Sequence, residues 1–88
     1  MTKLSLSQEL ALHQEALNGA RVLKVKTELT MRAYKKMIRE TKEGKTPLSA
    51  EALAGIEALL VEVEEIYENV LYQIEKNENI LKHNTLAN

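Results

Sequence analysis

The sequence predicts an all-α protein, a long antiparallel helical hairpin that pairs with a second copy into a four-helix bundle. Three observations carry that prediction. Apolar side chains recur at steps of three and four as Leu53, Ile56, Leu60, Val63, Tyr67, Val70 and Ile74, with Asn77 and Leu81 keeping the register. That spacing holds one stripe on one side of a helix and calls for another helix to cover it. Strong breaker chemistry occurs at Glu43-Gly44-Lys45-Thr46-Pro47-Leu48-Ser49, where Gly44 suits a left-handed cap and Pro47 cannot continue a helix. The arms on either side are about 36 and 33 residues, or roughly 50 Å each, so one short turn folds them back on each other.

Helix one is expected over residues 6–43. Ser5 with Gln8 three residues later has the spacing of a capping box, and Ser7 is a competing cap. Its weak point is Asn18-Gly19, because glycine costs about 1 kcal/mol in a helix interior and the dipeptide favours turns. A break there gives the alternative fold, a three-helix bundle. The matched arm lengths favour one continuous or kinked helix, since a turn at Asn18 would leave the far end of helix two with a stub for cover. Folding the chain about Thr46 sets Met37 near Ile56, Thr30 near Val63, Leu23 near Val70 and Leu12 near Leu81. The packed face of helix one is then Leu23, Thr30, Tyr34 and Met37, with Leu10 and Leu17 roughly opposite.

The turn is placed at 44–49 and helix two at 50–82, followed by a frayed tail at 83–88. Ser49 reads as the N-cap of helix two, with Leu48 and Leu53 as the halves of a hydrophobic staple. The 88 residues make one helical hairpin domain, too short to bury a large fraction of its surface alone. Both helices are apolar over more of their girth than one neighbour can cover. Beside the stripe of helix two runs a second row, Ala52, Leu59, Ile66 and Ile80, and helix one spreads Val22, Leu23, Leu29, Ala33, Tyr34, Met37 and Ile38 over about half its circumference. A second hairpin is the simplest cover, giving a homodimer with a core of Leu23, Tyr34, Met37, Leu53, Ile56, Leu59, Leu60, Val63, Ile66, Tyr67, Val70 and Ile74.

Charge is segregated along the chain. Residues 21–45 hold nine Lys or Arg against three Glu, and residues 51–78 hold eight Glu against one Lys, although the whole chain is only -1. Arg21, Lys24, Arg32, Lys35, Arg39 and Lys42 follow steps of three or four and form a basic ridge, with Glu28 in its middle. Such a ridge suits a phosphate backbone. It equally suits the acidic arm of the same hairpin, which the fold-back sets beside it, and no aromatic side chain interleaves the cations as a stacking platform. Intramolecular pairing is therefore the favoured reading and nucleic acid the second.

Other classes of function find little footing in the residues. With no Cys there is neither a disulfide framework nor a thiolate zinc site, which agrees with a reducing cytoplasm. Residues 1–12 lack the apolar core of a signal peptide, and no apolar run approaches the roughly 20 residues that cross a bilayer. A cytoplasmic protein without membrane contact is expected. His13 and His83 lack the Glu three residues before them that di-iron bundles use, although Glu9 is placed to orient His13. Glu62, Glu64, Glu65 and Glu68 crowd one and a half turns, a pattern commoner in solvated faces than in cation sites. No phosphate loop, catalytic triad or reactive thiol is present, so no catalytic residue, metal or cofactor is assigned.

What remains is recognition of other proteins. Val25, Val61 and Leu71 lie outside the main stripes, Leu10 and Leu17 join them if helix one is continuous, and Tyr72 falls near the solvent side. Together they are the candidate partner surface. The expected function is that of a non-enzymatic adaptor, regulator or inhibitor that occupies a larger protein as a homodimer. The alternatives are a nucleic-acid-associated regulator using the basic ridge and a structural piece of a larger assembly.

Overall fold

The computed structural model describes residues 4–86, with side-chain surroundings through residue 84. It consists of two helices, α1 (Leu6–Lys42) and α2 (Ala50–Leu86), packed antiparallel as a hairpin. Ser5 caps α1 with the reciprocal bonds of a capping box: its Oγ accepts from the Gln8 backbone N–H at 3.2 Å, and Gln8 Oε1 accepts from the Ser5 N–H at 2.9 Å. α1 ends in a Schellman motif. Gly44 takes φ 77°, its N–H donates to the Thr41 carbonyl, and the Lys45 N–H reaches back to the Glu40 carbonyl at 2.8 Å. Ser49 Oγ then accepts from the Ala52 N–H at 3.1 Å and opens α2.

The expected boundaries differ at two ends, and α1 stops at Lys42 with Glu43 as its C-cap. α2 does not fray at 83 but runs to Leu86, and Asn84 Nδ2 donates to the Ile80 carbonyl at 2.8 Å along that extra turn. Residues 87 and 88 of the expected tail lie outside the described residues. α1 is unbroken through Asn18-Gly19, so the three-helix alternative is not adopted. Gln14 Nε2 donates to Asn18 Oδ1 at 3.0 Å, which occupies the asparagine side chain on the helix surface instead of in a turn.

Along α2 the covered positions include the whole stripe, Leu53, Ile56, Leu60, Val63, Tyr67, Val70, Ile74, Asn77 and Leu81, extended by Asn84 and flanked by the partly covered Gln73 and Ile80. Along α1 the seam runs through Leu10, His13, Leu17, Ala20, Lys24, Thr27, Met31, Tyr34, Ile38 and Thr41, an unbroken alternation of three and four, with Glu28, Thr30 and Glu40 partly covered beside it. This corrects the packed face assigned from the sequence. Leu23 and Met37 are exposed, at 45% and 39%, and Leu12 points to solvent, whereas Leu17 is the most buried apolar side chain at 3%. Leu10 and Leu17 therefore belong to the seam and not to an outward patch. The face of α1 that meets α2 is the more polar of its two stripes, because antiparallel register decides which side faces inward.

Burial kept on a seven-residue repeat requires the two helices to wind gently around each other in a left-handed sense. Leu17 and Val70 are the buried apolar side chains among the described residues, at 3% and 5% exposure. Thr27 is buried with them, its Oγ1 donating to the Leu23 carbonyl one turn back at 2.6 Å. Lys24 occupies a seam position with its aliphatic stem, and its ammonium group reaches Glu28 at 3.9 Å.

Candidate interaction surfaces

Two rows flank the seam on each helix, and one ion pair identifies the sides. Arg21 and Glu78 approach to 3.7 Å across the hairpin, so the rows reached from them in steps of seven share one flank. On α1 that row is Gln14, Arg21, Glu28, Lys35 and Lys42; on α2 it is Glu57, Glu64, Leu71 and Glu78. Stepping down from Arg21 and Glu78 sets Lys35 opposite Glu64 and Lys42 opposite Glu57. Arg32 and Arg39 lie one row further out, with Val25 in the same row and Val61, Glu68 and Glu75 in the matching row of α2. Apart from Lys24, which sits in the seam, the basic ridge is thus exposed along α1 on this charged flank, beside a facing acidic edge on α2.

The ion pairing within the hairpin is thinner than the charge pattern suggests. Among the described residues Arg21–Glu78 is the pair that joins the helices within 4.0 Å, and both side chains are about half exposed. Lys36–Glu40 lies within α1, and Lys45–Glu43 lies at its end. Exposed pairs of this kind contribute about 0–1 kcal/mol each. The segregated charge therefore acts as a field along each arm more than as a set of bonds.

Between Ile38 and Leu60 the charged flank opens into a shallow groove of about 450 Å³, lined also by Lys35, Arg39, Lys42 and Glu43. Val25, Val61 and Leu71 are exposed, with Val25 and Leu71 at about the same height on the two helices. Tyr72 is 60% exposed on the outer side of α2, over a second groove shared with Glu75, Lys76, Asn79 and Ile80.

The opposite flank carries the other rows: Ala16, Leu23, Thr30 and Met37 on α1, and Ala52, Leu59, Ile66, Gln73 and Ile80 on α2. It holds no charge over that length. Leu23, Met37, Leu59 and Ile66 stand exposed along it. Of the residues assigned to the bundle core, Tyr34, Leu53, Ile56, Leu60, Val63, Tyr67, Val70 and Ile74 sit in the seam of one hairpin, while these four lie on the open apolar flank.

Towards the end of the hairpin that carries the chain termini, a polar contact crosses the seam. His13 Nδ1 lies 2.9 Å from Asn77 Oδ1, and Asn77 Nδ2 donates to the Gln73 carbonyl at 2.7 Å. Because the amide nitrogen is committed to Gln73, Asn77 Oδ1 accepts and the His13 Nδ1–H donates. Asn77 is buried at 5% exposure, and Glu9, the orienting group suggested by spacing, is replaced in that role by an amide from the other helix. The sequence set Asn77 in the stripe of helix two but carried no signal that joined it to His13. Among the described residues no three His, Asp or Glu side chains converge as a metal site. No helix is long and apolar enough to cross a membrane.

Compared with protein-family models, with curated proteins and with solved structures, the chain matches none.

Proposed function

We propose that the protein is a non-enzymatic, homodimeric helical protein that works by binding a larger protein, as an adaptor, regulator or inhibitor in the cytoplasm. The observation that supports this reading is the division of the hairpin into two unlike flanks. The apolar flank is suited to self-association. The charged flank then remains outward, carrying Val25, Val61 and Leu71 between a basic and an acidic edge. Isolated apolar residues framed by both signs of charge favour one partner orientation over others, since charge complementarity sets specificity and encounter rate.

The second reading, a nucleic-acid-associated regulator, rests on the exposed ridge from Arg21 to Lys42. It must overcome the acidic edge of α2 on the same flank, whose glutamates repel a polyanion. The two readings separate in one comparison. Capture from native extract with the full chain is set against the Val25→Lys/Leu71→Lys variant, with dimerisation checked by sedimentation. Specific loss of captured protein in the dimeric variant supports a protein target, and an unchanged set of captured proteins counts against it. Binding of a DNA or RNA duplex at about 50 mM salt, falling steeply as salt rises and lost in Lys35→Glu/Arg39→Glu, would move the assignment to nucleic acid.

A further inference from the structure

The hairpin exposes more surface than a compact monomer of its mass. Its accessible area is 6764 Å² at 10.0 kDa, against about 5,200 Å² for a compact monomer of that mass. The radius of gyration is 19.2 Å where a compact domain of this length has about 12 Å. The excess area, about 1,500 Å², is roughly twice what one partner contributes to a standard stable interface. The apolar flank is where that excess is least compatible with water, with Leu23, Met37, Leu59 and Ile66 uncovered and no charged residue in its rows over 16–37 of α1 and 52–80 of α2.

We infer that this flank is covered by a second copy of the chain, laid so that α1 rests on the partner subunit's α2 and both turns lie at the same end of the dimer. The inference rests on the homodimer reading above and specifies its geometry. An uncharged apolar flank is self-complementary and can pair with itself about a two-fold axis. Two such axes bring the flanks face to face. An axis along the helices stacks α1 on α2 and keeps the turns together. An axis across the helices stacks α1 on α1 and sends the turns to opposite ends. The second choice lays two net-positive α1 arms on each other, each with eight Lys or Arg against four Glu, and likewise two net-negative α2 arms, each with eight Glu against two Lys. The first brings each arm against one of opposite sign, so the segregated charge selects it.

The chain has no Cys, so a single Lys45→Cys in the exposed turn accepts one spin label per protomer. Sedimentation at micromolar concentration is expected to give a dimer, and pulsed dipolar spectroscopy on the labelled chain a separation under about 30 Å, against roughly the 59 Å molecular length for opposed turns. Leu23→Glu/Ile66→Glu is expected to weaken dimerisation about thirtyfold or more. A dimer with the long separation, or one indifferent to Leu23→Glu/Ile66→Glu, overturns this geometry and leaves dimerisation standing. A monomer overturns both.

Discussion

Removing the acceptor in the His13–Asn77 contact is expected to cost more than removing both partners. Asn77→Leu leaves the His13 Nδ1–H facing an apolar side chain at a seam position, half-buried and without its 2.9 Å acceptor. An unsatisfied buried donor costs about 1–3 kcal/mol, and the partial exposure of His13 places the loss near 1–2 kcal/mol. His13→Leu leaves Asn77 Oδ1 unpaired in the same way, although its Nδ2 keeps the Gln73 carbonyl. The double variant His13→Leu/Asn77→Leu removes donor and acceptor together and adds two apolar side chains to the seam. It is expected to match or exceed the parent, giving a coupling of about 2–4 kcal/mol in a double-mutant cycle. Urea unfolding followed by helical ellipticity, at one fixed protein concentration because dimerisation contributes to stability, measures all four proteins. Single-variant losses that simply add, within about 0.3–0.5 kcal/mol, would refute the claim that these side chains depend on each other.

Two further outcomes test the seam and the turn by thermal or urea melts. Leu17→Ala, at the best covered apolar position of α1, is expected to lower stability by about 2–4 kcal/mol, whereas a loss below about 1 kcal/mol would indicate an outward side chain. Gly44→Ala forces a Cβ into a left-handed conformation at φ 77° and is expected to cost about 1–2 kcal/mol, although no neighbouring atom lies within 4 Å of that Cβ. Equal stability of this variant and the parent would contradict the cap geometry.

The stripe of α2 was legible because its inward positions are also its most apolar ones, so counting grease and finding the buried face give the same answer. α1 misled for the opposite reason. Its inward positions include His13, Ala20, Lys24, Thr27 and Thr41, while Leu12, Val22, Leu23, Leu29 and Met37 lie elsewhere. A helix with two stripes buries first the one that matches its neighbour's register, and residue type alone does not name it. The capping box and the Gly44 turn were readable because both are local chemistry within a few residues. The His13–Asn77 contact spans 64 positions and depends on register, which no short-range pattern encodes.

The unequal seams bear on how the hairpin chooses its own partner arm. By apolar content alone, α2 would join another α2 more readily than it joins α1, and an opened chain could exchange arms with a neighbour. The glutamates at positions 57, 64 and 78 discourage that mispairing, because two α2 helices would set carboxylate rows side by side, while α1 offers Arg21, Lys35 and Lys42 at the same places. Fidelity of closure is therefore electrostatic where cohesion is hydrophobic. Concentrated salt, which shortens the reach of charge to about 3 Å at 1 M, removes the first while leaving the second intact.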